Sequence, residues 1–176
     1  MQTPGFWQER GIAARLLSPA GVLFGAIGRW RWRLANPMTA NVPIICVGNL
    51  VAGGAGKTPV ALSLASRLQE SGCAVHFLSR GYGGAIRGPR RVDRTRDGAD
   101  RVGDEALLLA AVSPTWVARD RVAGARAAEL AGAEVIVMDD GFQNPSLQKD
   151  LSIVVVDGVY GFGNEFLMPA GPLREP

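Results

Sequence analysis

The sequence predicts a doubly wound α/β fold with a mainly parallel sheet, preceded by an N-terminal amphipathic helical segment. Short apolar runs, typical of strands buried on both faces of a sheet, recur at 44–47, 74–78, 115–118, 135–138 and 153–156. Segments with helical spacing of apolar residues separate them, at 61–68, 104–112 and 120–130, and Asp120 is predicted to cap the last. Strand and helix therefore alternate, which favours a parallel sheet.

Composition limits the classes of protein that the chain can represent. Its 176 residues are 47% hydrophobic and 20% charged, which is typical of a folded globular domain. The two cysteines, Cys46 and Cys73, lie in apolar runs, so we predict buried thiols in a reducing compartment. The net charge of +3 is concentrated in residues 1–36, which contain five arginines and one glutamate. A globally basic surface for nucleic acid is therefore not expected, and we predict no nucleic-acid partner. We also predict no protein partner.

The opening segment, residues 1–40, is predicted to be a basic amphipathic region, and residues 41–176 the nucleotide-binding domain. The uncharged run 16–28 is shorter than the roughly 20 apolar residues of a membrane-spanning helix. Flanking Arg and Trp residues are typical of a helix lying in the headgroup region of a bilayer. They fit equally a helix packed on the domain with its arginines exposed. Three glycines, at 21, 25 and 28, are expected to weaken a long straight helix.

A glycine-rich turn between the first strand and the first core helix predicts a phosphate-binding loop. It consists of Val51, Ala52, Gly53, Gly54, Ala55, Gly56, Lys57 and Thr58. Backbone amides of such a loop point at phosphate oxygens, the lysine reaches the β- and γ-phosphates, and the threonine hydroxyl holds Mg²⁺. Val51 stands where the strict P-loop motif has its first glycine. The strand before and the helix after favour ATP binding over a chance Gly-Lys-Thr in a turn.

Two carboxylates follow the apolar run 135–138, at the strand end where ligands bind in open α/β sheets. Asp139 and Asp140 alone are typical of a turn or a helix cap. With a phosphate-binding loop upstream, we predict that one of them joins Thr58 in holding Mg²⁺.

An ordered set of motifs resembles the tetraacyldisaccharide 4'-kinase family along the whole chain. The motifs are Gly-Asn-Leu at 48–50 with the loop, Ser-Arg-Gly-Tyr-Gly-Gly at 79–84, Val-Gly-Asp-Glu at 102–105, Asp-Asp-Gly-Phe-Gln at 139–143 with Asp150, and Met-Pro-Ala-Gly-Pro-Leu-Arg-Glu-Pro at 168–176. The resemblance implies transfer of the ATP γ-phosphate to the 4'-hydroxyl of an acylated glucosamine disaccharide. It also implies peripheral attachment to the membrane surface at the cytoplasmic face of the bacterial inner membrane.

The resemblance also suggests roles for individual residues. Asp104 is similar to the family's catalytic base, with Glu105 beside it; without the resemblance, Asp104 is predicted to cap a helix. Arg121 and Arg174 match arginines near the transferring phosphate, where Lys57 also acts. The glycine-rich turn carries Arg80 and Tyr82, which are expected to help hold the acceptor.

The sequence departs from the family pattern in two respects. Asn144 stands where many members carry histidine. The family's domain continues past the motif at 168–176 and supplies a histidine partner to the catalytic carboxylate, so we expect this chain to be truncated. Its single histidine, His76, lies in an apolar strand and is predicted to be structural. A nucleotide-gated switch and an ATP-binding remnant without turnover are the alternatives to the kinase.

Overall fold

In the computed structural model, residues 4–175 are described, and they form two compact units. The first, here called the sheet unit, comprises residues 37–48 and 57–153. The second, the terminal unit, combines residues 4–36, 49–56 and 154–175. The predicted division at residue 40 stays a prediction.

A six-stranded sheet has the order β3-β4-β2-β5-β1-β6. Its strands are β1 (Ile44–Gly48), β2 (Val75–Ser79), β3 (Arg90–Arg91), β4 (Thr115–Val117), β5 (Val135–Asp139) and β6 (Leu151–Val154). Strands β1, β5, β2 and β4 are parallel, and only β3 is shown to run antiparallel to its neighbour β4. This confirms the prediction of a mainly parallel α/β sheet. The carboxyl ends of the parallel strands share one edge, where Val47 is in register with Asp139 and Ser79 with Val117.

The core of the sheet unit consists of the side chains of the central strands. Its largest fully buried members include Ile44, Phe77, Leu78, Ile136 and Met138. Strands that are buried on both faces consist of unbroken apolar runs, so they were recognisable in the sequence without an alternating apolar and polar pattern.

Four helices belong to the sheet unit: α2 (Lys57–Glu70), α3 (Ala99–Val102), α4 (Asp104–Leu109) and α5 (Arg121–Leu130). The Asp120 carboxylate accepts hydrogen bonds from the backbone N–H groups of Val122 and Ala123, which confirms the predicted cap of α5. Helix α5 packs closely on β2, because a Cβ on Gly124 would lie 2.6 Å from the Leu78 side chain. Helix α4 ends at Leu109, earlier than predicted, and hydrogen-bonded turns continue it to Ser113.

Strand β6 begins two residues earlier than its apolar run predicts. Asp150 fixes the start: its backbone N–H donates to the Ile44 carbonyl, and its carboxylate accepts from the Ile44 N–H at 2.8 Å. A polar side chain, that of Asp150, thus sets the register of β6 against the first residue of β1. A pattern of apolar residues in the sequence does not predict a contact of this kind.

The long segment between β2 and α4, residues 80–103, is ordered. It contains β3 and α3, and a fully buried carboxylate, Asp97, joins them. Asp97 accepts from Arg90 at 2.9 Å, from the Asp93 N–H at 3.0 Å, and pairs with Arg101 at 3.2 Å. This polar cluster adds to the apolar packing of the segment, in which Val92 and Val102 are buried against Val117.

His76 and the cysteines were also assigned from the sequence. His76 is buried on β2, as predicted for a structural residue. Its Nδ1 accepts from the Trp116 Nε1–H at 3.3 Å, and a hydrogen bond joins its ring to the backbone of Ala128. Cys46 is buried as predicted, whereas Cys73 is only half-buried. Cys73 follows the turn that ends α2 at Gly72, and this accounts for its exposure.

The terminal unit contains a short 3₁₀ helix (Gly5–Trp7) and the long helix α1 (Ile12–Leu34). Helix α1 continues through Pro19, because the Ser18 hydroxyl donates to the Arg15 carbonyl that the proline leaves without its usual donor. The glycines at 21, 25 and 28 do not interrupt α1. Gly21 and Gly25 face Leu167, and a Cβ on Gly21 would lie 2.8 Å from the Leu167 carbonyl oxygen.

Most large apolar side chains of α1 are exposed. They are Ile12, Leu16, Leu17, Val22, Leu23, Phe24, Ile27, Trp30, Trp32 and Leu34. Within residues 4–175, α1 is the one helix long and apolar enough to cross a membrane, although a single N-terminal helix of this kind is weak evidence for a span. Such exposure of apolar surface marks an interaction face.

Candidate active site

Two pairs of polar side chains meet at the carboxyl end of β5 in the sheet unit. The Thr58 hydroxyl donates to Asp139 Oδ2 at 3.5 Å, and Lys57 Nζ lies 3.9 Å from Asp140 Oδ1. Lys57 and Thr58 begin α2, whereas Asp139 ends β5 and Asp140 follows it with a left-handed φ of 51°. The two sequence motifs, about 80 residues apart, therefore converge as expected for phosphate and metal chemistry.

Asp139 has an unsatisfied oxygen. The residue is 2% exposed, and its Oδ1 is buried without a hydrogen-bond partner among residues 4–175. Burial, followed by the charges of Glu105 and Asp140, raises the pKa of Asp139 to about 6. A hydroxyl beside such a carboxylate suits a hard cation like Mg²⁺, which would supply the missing partner of Oδ1.

The described residues hold no cluster of three or more His, Cys, Asp or Glu side chains with metal-ligand geometry. Mg²⁺ commonly takes only one or two protein carboxylates and completes its octahedron with water and substrate phosphates. The pair of Thr58 and Asp139 therefore fits Mg²⁺ and does not fit a metal that needs a full set of protein ligands.

Arg121 opens α5 and is 3% exposed. Its Nη1 is buried and, within the part of the chain that is described, has no hydrogen-bond partner. Burial, followed by the charge of Arg80, lowers the pKa of Arg121 to about 10. A buried guanidinium with an unused donor, next to a second arginine, is suited to an oxyanion such as phosphate.

Asp104 and Glu105 occupy the first turn of α4, and both are exposed. The residue before them, Gly103, is the N-cap with a φ of 87°, and no side chain caps this helix. The alternative that Asp104 is an N-cap is therefore wrong, and its carboxylate is not used by the helix. The charge of Glu105 contributes to the raised pKa of Asp139, so this turn lies near the carboxylate pair.

The glycine-rich turn at 81–84 lies against the residues that precede Asp104. A Cβ on Gly81 would approach the Val102 carbonyl oxygen to 3.0 Å, and its φ of 70° favours glycine. Tyr82 on this turn is 74% exposed, and the charge of Arg80 acts on Arg121. Backbone packing thus brings the turn and the start of α4 together.

Residues 51–56 of the phosphate-binding loop belong to the terminal unit. Gly53 and Gly56 have φ values of 137° and 78°, which a side chain would strain. Val51 is 5% exposed and forms an antiparallel bridge with Leu173. An extended bridge accommodates a β-branched residue, and this explains why valine replaces the first glycine of the strict motif.

Seven residues that the sequence singled out lie together in the sheet unit: Lys57, Thr58, Arg80, Glu105, Arg121, Asp139 and Asp140. Arg174 lies in the terminal unit, where its backbone N–H donates to the Leu50 carbonyl at 2.8 Å. The Asn144 side chain accepts from the Ser146 N–H and hydroxyl in a turn.

Sequence reasoning missed Lys149, which ties down the loop that follows the carboxylates. Its Nζ donates to the carbonyls of Phe142 at 3.1 Å and Asn144 at 2.6 Å. The signal available was a lysine directly before the motif residue Asp150.

Comparison with known proteins decides the family. The sequence profile described as LpxK, tetraacyldisaccharide-1-P 4'-kinase, matches residues 13–176. The chain belongs to this family. The predicted resemblance to the tetraacyldisaccharide 4'-kinase family is therefore confirmed.

Relatives in the LpxK family are similar over the full length of this chain. Tetraacyldisaccharide 4'-kinase of Rhodospirillum centenum is 58% identical over 181 residues, which cover 100% of this chain and 54% of that protein. Its counterpart in Parvibaculum lavamentivorans is 59% identical over 180 residues, which cover 99% of this chain and 53% of that protein. The chain thus spans about half the length of the curated relatives it matches.

The fold is also that of LpxK. The crystal structure of the "apo" form of LpxK from Aquifex aeolicus in complex with ATP superposes with a TM-score of 0.81 at 32% sequence identity. The match covers 94% of this chain and 55% of that one.

Proposed function

We propose that the chain binds Mg-ATP through residues 51–58 and carries the phosphoryl-transfer residues of a tetraacyldisaccharide 4'-kinase. The observation that carries the proposal is the meeting of Thr58 with Asp139 and of Lys57 with Asp140 at the end of β5. Membership of the LpxK family and the ATP named for its Aquifex aeolicus member support the choice of nucleotide.

Asp139 and Thr58 would hold Mg²⁺, with Asp140 near Lys57. When bound, Mg²⁺ neutralises charge on the phosphates of ATP. Of the two carboxylates, Asp139 is the better ligand, because its Oδ1 is buried and without a hydrogen-bond partner among the described residues. Lys57 and Arg121 would neutralise the transferring phosphate, and Arg174 would do so from the terminal motif.

Asp104 would accept the proton of the acceptor hydroxyl as the bond to phosphorus forms. Its position in the first turn of α4, exposed and without a capping role, supports this assignment. Glu105 beside it and the turn that carries Arg80 and Tyr82 would hold the sugar. The acceptor is the 4'-hydroxyl of a tetraacyldisaccharide 1-phosphate, a precursor of lipid A.

The exposed apolar side chains of α1 support attachment to a membrane surface. An acylated acceptor resides in the bilayer, and α1 carries Arg29, Arg31 and Arg33 beside its tryptophans, a pattern typical of a headgroup-level helix. We place the protein at the cytoplasmic face of the bacterial inner membrane, where ATP is available.

Phosphorylation of a detergent-solubilised tetraacyldisaccharide 1-phosphate by ATP tests the proposal. We expect Lys57→Ala and Asp104→Asn to lower turnover by about 100-fold or more, the range of a lost phosphate clamp or general base. Asp100→Asn, an exposed carboxylate in the first turn of α3, is the matched control and should leave turnover unchanged.

Two results would count against the assignments. Wild-type turnover by Asp104→Asn would remove Asp104 as the base. Binding of Mg-ATP without transfer to the acceptor would favour an ATP-binding module over a kinase.

A further inference from the structure

The Asn164 side chain joins several segments of the terminal unit. It is 3% exposed, and its Nδ2 donates to the carbonyls of Phe6 at 3.1 Å, Glu9 at 3.3 Å and Ala170 at 3.0 Å. Its Oδ1 accepts from the Phe166 N–H at 3.0 Å. One amide therefore joins the N-terminal turn to the start and the middle of the motif at 166–174.

The N-terminal turn makes further hydrogen bonds to the same region. The backbone N–H of Asn164 donates to the Trp7 carbonyl at 2.7 Å, and Trp7 Nε1 donates to the Pro169 carbonyl at 3.1 Å. Arg10 forms an ion pair with Glu165 and lies over the ring of Phe166. The conformation of residues 164–170 is thus fixed by residues 6–10, more than 150 positions away in the sequence.

The motif at 166–174 in turn holds the beginning of the phosphate-binding loop. The Ala52 N–H donates to the Pro172 carbonyl at 2.7 Å, and the Arg174 N–H donates to the Leu50 carbonyl at 2.8 Å. These two bonds flank the bridge between Val51 and Leu173. The loop residues that follow, Gly53 and Gly54, are exposed, and the structure gives an added Cβ on Gly54 no neighbour within 4 Å.

We infer that Asn164 is a positioning residue for the phosphate-binding loop: it sets the backbone of 166–174, which holds residues 50–52 in the conformation that receives the triphosphate. The inference rests on the proposed function of that loop. Glycine-rich backbone has many accessible conformations, so its amides bind an anion well only when the neighbouring chain restricts them. Asn164 does not touch the nucleotide in this account and acts only through the backbone.

Hydrogen exchange of the nucleotide-free chain, followed by mass spectrometry, tests the inference directly. We expect Asn164→Ala to speed the exchange of a peptide covering 48–56, while peptides within α2 and α5 keep wild-type exchange. Trp7→Phe, which removes the hydrogen bond to Pro169 and keeps a smaller aromatic ring, should produce a smaller change in the same peptide. If Asn164→Ala fails to fold, the exchange of the same peptide in Trp7→Phe still tests the inference.

Affinity for Mg-ATP, measured by calorimetry, provides the second readout. If the loop of Asn164→Ala adopts its binding conformation about a tenth of the time, the Kd for Mg-ATP rises about tenfold. The control is Val75→Ala, a buried truncation at the amino end of β2, which should lower global stability without altering the exchange of 48–56 or the Kd.

Unchanged exchange of 48–56 in both Asn164→Ala and Trp7→Phe would overturn the inference. An equal increase in the exchange of 48–56 in Val75→Ala would overturn it as well, because it would show that Asn164 affects this peptide only through overall stability. Failure of the wild-type chain to bind Mg-ATP would instead count against the proposed function, and the exchange data would still decide the role of Asn164.

Discussion

Replacement of Asp139 by asparagine should stabilise the nucleotide-free chain while removing its proposed metal ligand. The side chain is 2% exposed, and only one of its oxygens accepts a hydrogen bond, from Thr58. An asparagine keeps the size and can still accept that bond. It removes the negative charge that burial disfavours.

The size of the effect follows from the pKa of Asp139. Raising this pKa from 3.8 to about 6 corresponds to about 3 kcal/mol against the ionised form in the folded state. Because the folded-state pKa lies above the unfolded value, the folded protein binds the proton more tightly. The contribution of Asp139 to the free energy of unfolding therefore falls as the pH rises towards 6 and levels off above it.

Urea denaturation in EDTA, across a pH series, measures this contribution. The difference in unfolding free energy between Asp139→Asn and the wild type should increase by about 2 kcal/mol between about pH 4.5 and about pH 7.5. A constant packing penalty of the new amide would shift all points equally and leave this increase intact.

Met138→Leu is the control, since it alters a fully buried neighbour that carries no titratable group. Its difference from the wild type should not depend on pH. A pH-independent difference for Asp139→Asn would refute the reasoning, because it would mean that Asp139 is not held in an environment that disfavours its charge.

Three further predictions concern stability. Burial, and then a nearby arginine, lower the pKa of His76 below 6.5. The contribution of His76 to stability is therefore fully present above that pH and is lost as the pH falls below it. His76→Gln should reduce this loss in urea titrations at pH 7.5 and pH 5.5, values chosen to lie on either side of the ordinary histidine pKa. Asp97→Asn removes a buried charge from two arginine partners and should cost about 2 kcal/mol in urea denaturation, whereas an unchanged midpoint would show that the cluster is not stabilising. In α1, Gly28→Ala meets no atom within 4 Å and should stabilise by up to about 1 kcal/mol, while Gly21→Ala meets a backbone carbonyl and should lower the melting temperature.

Elements defined by local patterns were predictable from the sequence. The strands at Ile44–Gly48 and Val135–Asp139 begin with four consecutive apolar residues, and an aspartate caps the start of α5. The phosphate-binding motif is likewise contiguous, so its place between β1 and α2 followed directly. Each of these signals lies within about ten residues of chain.

Features that depend on distant contacts were not predictable. The glycines of α1 looked unfavourable for a long helix, yet Gly21 packs against Leu167, and no local pattern connects the two. Strand β3 and the order around Asp97 depend on a buried carboxylate that the sequence offers only as one acidic residue among several arginines.

The candidate site was predictable in its chemistry and only partly in its arrangement. Lys57, Thr58, Asp139 and Asp140 carried recognisable motifs. No local pattern indicated that Asn164 joins the N-terminal turn to the terminal motif, because an isolated asparagine among glycines is typical of any turn.

Calorimetric titration of the folded chain with Mg-ATP tests the central claim most directly. The wild type should release or absorb heat with one-to-one stoichiometry, and Lys57→Ala should abolish the signal, while Arg67→Ala, an exposed cation later in α2, should bind as the wild type does. Equal affinity of Lys57→Ala and the wild type, or no heat with the folded wild-type chain, would contradict the assignment of residues 51–58 as the triphosphate site.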